Sequence, residues 1–284
     1  MDPNGKLAFI TGAAGGIGES IARALGRAGA RLVIADIDAR SLAAASERLA
    51  GDGLAAKTQL LDVADRGAWR EAIEAISNEL GPISILCNNA AAALGGRIAD
   101  LDASQWERLM AINVNGILYS IQAFVPHVKA HGQEAHIVNM GSIYGLFSGQ
   151  GAGAYITSKF AVVGLSEVLR FELQDDRIGV SVICPGLVDT DFGRNSSRVL
   201  RPGEDVRGAR GNHGRMDPVF IGPMVVEAIN ENRMYVVTHP EYRSVVDARH
   251  KVMLRDFGQG AQPGYSEDPS DIGGHWLRLA ETLG

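Results

Sequence analysis

Short apolar segments alternate with longer amphipathic patterns through the first 240 residues of the chain. The short segments are rich in β-branched and aliphatic residues, which is typical of buried strands. They cover residues 7–11, 31–36, 55–61, 83–87, 136–140, 180–184 and 234–238. Helical spacing fills the intervals, at residues 17–28, 40–50, 66–80, 104–130, 153–174 and 218–231. Seven strands separated by helices predict an α/β fold, with a parallel sheet covered by helices on both faces.

Two segments have neither a strand period nor a helix period. Residues 193–217 carry six arginines, and residues 256–284 are polar and glycine-rich before a short amphipathic end. We predict one domain over residues 1–255, with a substrate lid at 193–217. The tail at 256–284 is expected to pack near the functional site or against a neighbouring subunit. Solvated charge is the favoured interpretation of the lid arginines, and recognition of an acidic substrate is the alternative.

Charge and cysteine content exclude several classes of protein. The net charge of −6 argues against a nucleic-acid-binding protein, which normally presents a basic face. Cys87 and Cys184 each end an apolar run, as buried thiols do in a reducing compartment. The chain has no basic-then-apolar leader and no run of about 18 apolar residues. We therefore expect a soluble, cytoplasmic protein that contacts no membrane.

The histidines do not form a convincing metal site. His127 and His131 lie four residues apart on a predicted helix, but no third ligand is evident, so no metal is expected. His213 and His239 flank the lid and the last strand. Surface positions are favoured for both of them, with contact to a substrate as the alternative.

The glycine-rich segment 11–18, TGAAGGIG, lies between the first strand and the first helix. Glycine lets the backbone turn tightly, and a helix N-terminus offers free N–H groups, so this loop predicts binding of a dinucleotide diphosphate. A turn that merely packs is the alternative. Asp36 ends the second strand, where a carboxylate would accept hydrogen bonds from the adenosine ribose and repel a 2′-phosphate. We expect NAD rather than NADP, with Arg40 as the residue that favours NADP.

Tyr155 and Lys159 are four residues apart on a predicted helix and therefore share one face. The ordinary tyrosine pKa of about 10 is too high for a base at neutral pH. A fixed ammonium group and a positively charged nicotinamide ring would lower that pKa. By itself, this spacing also occurs in unrelated surface pairs.

Seven motifs occur in the order found in one enzyme family. They are Thr11-Gly12-x-x-x-Gly16-Ile17-Gly18, Asp62-Val63, Asn88-Asn89-Ala90, Asn113-Val114-Asn115-Gly116, Gly141-Ser142, Tyr155-x-x-x-Lys159 and Pro185-Gly186-Leu187-Val188-Asp189-Thr190. Over about residues 5–192, and more weakly over 218–240, the chain resembles the short-chain dehydrogenase/reductase family. It departs from that family at Ala91, where glycine is frequent.

The resemblance implies a Rossmann-type, doubly wound sheet with strand order 3-2-1-4-5-6-7 and a set of residues that contact NAD. That set is Gly12, Gly16, Ile17, Gly18, Asp36, Asp62, Val63, Asn89, Ala90, Tyr155, Lys159, Pro185, Gly186, Val188 and Thr190. Most of these residues follow the carboxyl ends of strands, where such sheets bind their ligands. Asn89 is also expected to stabilise the central strands.

The resemblance also implies a reaction, the interconversion of a secondary alcohol and a ketone. Tyr155 would be the general acid/base, and Lys159 would bind the nicotinamide ribose and lower the tyrosine pKa. Ser142 would donate a hydrogen bond to the substrate oxygen. Asn113 would hold a water molecule that connects Lys159 to solvent.

The expected substrate is a bulky apolar or aryl alcohol. The residues proposed to face it are Ser142, Tyr144, Phe147, Tyr155, Phe192 and Met216. Residues 234–243 are also similar to those of family members that act on aryl side-chain alcohols. A sugar, a polyol or a steroid, another reaction of the family such as epimerisation or dehydration, and a non-catalytic NAD-binding role are the alternatives. The family resemblance further implies a homotetramer, or else a dimer.

Overall fold

The computed structural model describes residues 1–201, 214–257 and 268–281. The chain divides into two compact units, Met1–Pro240 and Glu241–Gly284. The first unit contains the whole sheet and every residue predicted to bind cofactor or substrate. The predicted lid residues 202–213 and tail residues 258–267 and 282–284 lie outside the described residues.

Seven parallel strands form one sheet in the order β3-β2-β1-β4-β5-β6-β7, as predicted. The strands are β1 Leu7–Thr11, β2 Arg31–Asp36, β3 Ala56–Leu60, β4 Ile83–Asn88, β5 Ala135–Met140, β6 Ile178–Cys184 and β7 Tyr235–Val237. Strands β1, β4 and β5 are buried throughout, because helices cover both faces of the sheet. The chain reverses its winding direction between β1 and β4, which are neighbours in the sheet.

Eight α-helices belong to the described part of the first unit. They are α1 Gly16–Arg27, α2 Ala39–Gly51, α3 Arg66–Leu80, α4 Ala103–Met110, α5 Gly116–His131, α6 Gly153–Glu172, α7 Phe192–Leu200 and α8 Ile221–Glu231. In the second unit, the described residues form α9 Arg243–Arg255 and α10 Pro269–Glu281. Aspartate side chains accept hydrogen bonds from first-turn N–H groups at the starts of α2, α3 and α4.

Three helical features differ from the sequence expectation. The long helix predicted at 104–130 is two helices joined by a π-helical turn, Ala111–Asn115. Helix α7 lies in the segment expected to be an irregular lid, where glycine, asparagine and serine are poor helix formers. Burial of Leu200 in the core compensates for that low propensity. The sequence pattern predicted no helix at α9, which is rich in charged residues and has no clear apolar period.

The core consists of two apolar clusters, one on each face of the sheet. Successive residues of β1 alternate between them: Phe9 lies in the first cluster, and Ala8 and Ile10 lie in the second. The continuous helical stretch Ala103–His131 is long and apolar enough, by length and composition alone, to cross a membrane. Phe124 of this stretch is fully buried in the first cluster, and core helices of soluble proteins pass the same test.

A buried histidine, His136, lies on β5 and belongs to none of the predicted site motifs. His136 is 1% exposed, and its Nε2 lies 2.8 Å from the Ser181 hydroxyl. Ser181 donates its own proton to the Arg233 carbonyl, so the histidine Nε2–H is the donor of the pair. Burial lowers the pKa of His136 from 6.5 to about 3, because the charged imidazolium would lose its hydration.

This burial predicts a loss of stability in acid. Between pH 6.5 and about 3, the unfolded chain binds a proton at His136 that the folded chain does not bind. The free energy of unfolding should therefore fall as the pH falls through this range, by about 2 kcal/mol at pH 5 from this residue. Urea unfolding at pH 7 and pH 5 should show a smaller acid loss for His136→Gln than for the wild type. The same change at the exposed His250 should leave the loss unaltered; an equal loss in all three proteins would contradict the assignment.

Candidate active site

The carboxyl ends of the parallel strands meet at one edge of the sheet, and the predicted motifs lie there. The glycine loop follows β1, Asp36 ends β2, and the Asn88-Asn89-Ala90 motif overlaps the end of β4. Ser142 follows β5 and Pro185 follows β6. Ligands bind at this edge in doubly wound sheets, so we take it as the candidate active site.

The glycine loop after β1 has a backbone that other residues would not adopt easily. Gly12 and Gly16 have φ angles of +62° and +56°, in the left-handed region. A methyl group at Gly18 would overlap the carbonyl oxygen of Gly12. Asn89 Nδ2 donates to the carbonyl oxygens of Thr11 and Gly12, at 2.9 and 3.0 Å. The Asn89 side chain therefore joins the glycine loop to the end of β4.

The first turn of α1 is suited to an anionic ligand. No side chain caps this helix, whereas aspartates cap α2, α3 and α4. The N–H groups of Gly16, Ile17 and Gly18 lie in that uncapped turn, where the helix dipole is positive. A Cβ atom at Gly16 would lie 3.0 Å from Thr190 Cγ2, so Thr190 from the loop after β6 faces this turn. These residues fit a dinucleotide diphosphate.

Asp36 lies beside the glycine loop, and its carboxylate accepts hydrogen bonds from the N–H groups of Ala14 and Asp38, at 3.2 and 3.1 Å. Burial raises the pKa of Asp36 above its ordinary value. Arg48, a residue for which the sequence pattern carried no signal, donates to the Ala14 carbonyl at 3.1 Å. Its guanidinium group also forms an ion pair with Glu19 at 2.6 Å, which neutralises the charge. Arg48, and not the exposed Arg40, is thus the basic side chain that contacts the loop.

Asp62 and Val63 follow β3 and form hydrogen bonds with other residues of the chain. The Asp62 carboxylate pairs with Arg108 of α4 at 2.8 Å and accepts from the Ala64 N–H at 3.0 Å. The Val63 carbonyl accepts a hydrogen bond from Trp69 Nε1 at 3.0 Å. The pairing of Asp62 with Arg108 had no sequence signal, because 46 residues separate the partners.

Ser142, Tyr155 and Lys159 come together next to the loop after β6. The Ser142 hydroxyl is near enough to the Tyr155 hydroxyl to lower the tyrosine pKa by hydrogen bonding. The Ser142 Oγ lies 3.5 Å from the Pro185 carbonyl and accepts from the Tyr144 N–H at 3.2 Å. Lys159 is 1% exposed, and its Nζ lies 5.6 Å from the centre of the Tyr155 ring. Ser142 and Lys159 are buried, Tyr155 is partly exposed, and the three side chains lie next to one another.

Burial controls the protonation of this group. It raises the pKa of Tyr155 to about 12, and the hydrogen bond with Ser142 only partly opposes this effect. It also lowers the pKa of Lys159 to about 8. Lys159 Nζ donates to the Met140 carbonyl at 2.7 Å. In the chain by itself, desolvation dominates the tyrosine pKa, and the lowering of that pKa by Lys159 stays a prediction.

Asn113 is buried, and both the oxygen and the nitrogen of its side-chain amide make hydrogen bonds within the chain. Its Oδ1 accepts from the Ala92 N–H, and its Nδ2 donates to the Ala92 carbonyl, both at 2.8 Å. Nδ2 also donates to the Ser158 hydroxyl at 2.9 Å. The π-helical turn around Asn113 bonds the Gly116 N–H to the Ala111 carbonyl, one residue further than an α-helix would. Asn113 therefore fixes the chain after β4, and a bound water at this residue remains a prediction.

The aromatic side chains predicted to face the substrate form two ring pairs. The Tyr155 and Phe192 rings are 6.1 Å apart, and Tyr144 and Phe147 form an edge-to-face pair at 5.8 Å. Met216 exchanges backbone hydrogen bonds with Leu187 and Asp189, at 3.0 and 2.9 Å, and so lies beside the loop after β6.

The start of α7, which carries Phe192, is held against the site by a polar contact. Ser196 Oγ donates to the Phe192 carbonyl at 2.7 Å and accepts from the Ala93 N–H at 2.8 Å. The described part of the predicted lid is therefore hydrogen-bonded to the chain that follows β4.

A family model described as short chain dehydrogenase matches residues 6–200. The chain belongs to the short-chain dehydrogenase/reductase family. This family consists of oxidoreductases, in agreement with the order of motifs along the strand ends.

Three relatives of this short-chain dehydrogenase can each be aligned with most of its chain. The "CLA biosynthesis dehydrogenase/reductase" of Lactiplantibacillus plantarum is 32% identical over 270 residues, which are 88% of this chain and 94% of that protein. The "C alpha-dehydrogenase" of a Sphingobium species is 28% identical over 262 residues, 88% of this chain and 85% of that protein. A short-chain dehydrogenase/reductase from Burkholderia phymatum, crystallised in complex with NAD, superposes with a TM-score of 0.83 at 29% identity, covering 94% of this chain and 100% of that one.

The side chains of three histidines in this short-chain dehydrogenase form hydrogen bonds with backbone N–H groups. His127 Nε2 accepts from the Ile83 N–H, and His131 Nδ1 accepts from the Gln133 N–H, both at 3.1 Å. Among the described residues, no group of three or more His, Cys, Asp or Glu side chains could hold a metal ion. The surface position expected for His239 is wrong, since this residue is 6% exposed and contacts the loop after β6. His213 lies outside the described residues.

Proposed function

We propose that this chain is an NAD(H)-dependent oxidoreductase that interconverts a secondary alcohol and a ketone, with Tyr155 as the general acid/base. The observation that carries the proposal is the contact of three side chains at the cofactor edge of the sheet. The Ser142 hydroxyl lowers the Tyr155 pKa by hydrogen bonding, and the buried ammonium group of Lys159 lies 5.6 Å from the centre of the tyrosine ring. These groups can transfer a proton to or from one substrate oxygen.

The residues that would hold the cofactor follow from the loop geometry. The uncapped first turn of α1 would bind the diphosphate, and Asp36 would accept from the adenosine ribose. Lys159 would bind the nicotinamide ribose, and the backbone from Pro185 to Thr190 would border the ring. A bound nicotinamide supplies the site that donates or accepts hydride. The solved relative in complex with NAD supports this assignment.

Tyr155 would move the proton that accompanies hydride transfer. With a pKa of about 12, its phenol is protonated at neutral pH and is ready to donate to the oxygen of a ketone. In the oxidation of an alcohol, the phenol must first lose that proton. Ser142 would donate a hydrogen bond to the same substrate oxygen, which carries negative charge in the transition state.

NAD is the preferred cofactor in this proposal. The Asp36 carboxylate is held beside the glycine loop by two N–H groups, where it would repel a 2′-phosphate. The Arg48 guanidinium is paired with Glu19 and is therefore not a free partner for such a phosphate. Both features favour a ribose with a free 2′-hydroxyl.

A bulky apolar or aryl alcohol is the substrate class that we propose. The rings of Phe192 and Tyr144 provide an apolar surface near the tyrosine hydroxyl, where a polyol would bury hydroxyl groups without partners. The relative named C alpha-dehydrogenase supports a dehydrogenase reaction. A sugar, a polyol or a steroid remains the alternative substrate, and a non-catalytic role is disfavoured because Ser142, Tyr155 and Lys159 are all present.

We further propose a homotetramer, or else a dimer, acting in the cytoplasm. Leu118 of α5 and Val168 of α6 are exposed apolar side chains on the two helices that the family resemblance assigns to subunit contacts. The catalytic domain is proposed to extend to residue 255, with the lid at 193–217 and the tail at 256–284.

Tyr155→Phe should separate cofactor binding from turnover. Removing the hydroxyl should reduce turnover by about 10²–10⁴-fold, the usual contribution of a positioned acid/base. Binding of NADH, followed by fluorescence titration, should change by less than about threefold, because the phenyl ring keeps its packing. Tyr119→Phe, which makes the same change on α5, should preserve both properties. Unchanged turnover in Tyr155→Phe would remove Tyr155 from its role.

Asp36→Ala should relax the choice between NAD and NADP. Loss of the carboxylate removes its repulsion of the 2′-phosphate of NADP. A decrease of about 1.4 kcal/mol in this repulsion corresponds to a tenfold gain in affinity for NADP. We expect the ratio of kcat/KM for NADP to kcat/KM for NAD to rise at least about tenfold. Asp38→Asn removes a charge two residues away and should shift the ratio much less. A wild-type enzyme that prefers NADP would overturn the cofactor assignment.

A further inference from the structure

His239 lies two residues after the end of β7, yet it is buried and not at the surface. Its ring reaches the chain that follows the neighbouring strand β6. The Gly186 N–H donates to His239 Nδ1 at 3.0 Å, and His239 Nε2 lies 3.3 Å from the Leu187 carbonyl. One side chain thus binds two successive residues of the loop proposed to border the nicotinamide.

The partners define the tautomer of this histidine. A backbone N–H can only donate, so Nδ1 accepts from Gly186 and carries no proton. The ring proton is then on Nε2, from which it is donated to the Leu187 carbonyl. The Thr238 hydroxyl, 2.7 Å from Nδ1, also acts as a donor to it. Both ring nitrogens are therefore used in orienting neighbouring groups.

The loop that His239 binds continues directly to Ser142. The Pro185 carbonyl accepts from the Ile143 N–H at 2.8 Å and lies 3.5 Å from the Ser142 hydroxyl. On its other side, the Leu187 carbonyl accepts from the Met216 N–H at 3.0 Å. A displacement of the loop would therefore move groups on both the cofactor side and the substrate side of the site.

We propose that His239 is a positioning residue for the nicotinamide end of the site. It sets the place of Gly186 and Leu187 through one accepted and one donated hydrogen bond, and through Pro185 it supports Ser142. This inference rests on the proposed function, because it assigns the loop after β6 to the nicotinamide. An apolar ring of similar size would fill the same space but leave the Gly186 N–H and the Leu187 carbonyl without these partners.

The test compares two ligands that differ only at the nicotinamide. NADH and ADP-ribose share the adenosine, the diphosphate and the second ribose, but ADP-ribose has no nicotinamide ring. In His239→Phe, we expect the Kd for NADH to rise at least about tenfold, the size of a lost hydrogen-bond contribution, and the Kd for ADP-ribose to change by less than about twofold. Isothermal titration calorimetry measures both constants.

Two further variants separate the two hydrogen bonds. In His239→Asn, the amide oxygen can take the place of Nδ1 and accept from Gly186, whereas in His239→Gln the amide nitrogen can reach the Leu187 carbonyl. Each variant should restore part of the NADH affinity that His239→Phe loses. His136→Gln, a change at another buried histidine, should not alter the ratio of the two dissociation constants.

Four results would overturn the proposal. An equal loss of NADH and ADP-ribose affinity would make His239 a general structural residue, and an unchanged NADH affinity in His239→Phe would give it no role. Failure of all three variants to fold would assign it to the stability of the sheet. If the wild type binds neither ligand, the proposed function itself fails, and this inference fails with it.

Discussion

The parallel direction of the seven strands is the constraint on which the rest of the structure depends. Because every strand runs the same way, each one delivers its following residues to the same edge of the sheet. The glycine loop after β1, Ser142 after β5 and Pro185 after β6 are far apart in sequence, yet they become neighbours for this reason. The side chain of Asn89 then joins β1 to β4 at the point where the winding reverses.

Features that depend on local pattern were predictable, and features that depend on distant partners were not. The Asp36 position and the approach of Tyr155 to Lys159 follow from apolar periods and residue spacing, whereas the strand order followed from the family resemblance. Helix α7 has a sequence of low helix propensity and depends on tertiary contacts, as at Ser196. Likewise, Arg48 and His239 gain their importance from backbone groups that lie 34 and 53 residues away in the chain.

Burial and charge act against each other at the candidate site. Desolvation favours the neutral form of each group, so it raises the tyrosine pKa to about 12 and lowers the lysine pKa to about 8. The chain by itself therefore keeps Tyr155 protonated, which suits a proton donor in ketone reduction. Alcohol oxidation requires additional positive charge near the phenol, and an oxidised nicotinamide carries such a charge. Cofactor binding and the protonation of Tyr155 are thus expected to be linked.

Direct hydride transfer between a secondary alcohol and a bound nicotinamide is the step on which the proposed function depends. The most direct measurement uses aryl secondary alcohols deuterated at the carbinol carbon, incubated with the enzyme and NAD, with mass spectrometry of both products. We expect each molecule of ketone formed to be matched by one molecule of NADH that carries deuterium at C4 of the nicotinamide. Ketone formed without deuterium in NADH, or deuterium lost to water, would contradict it.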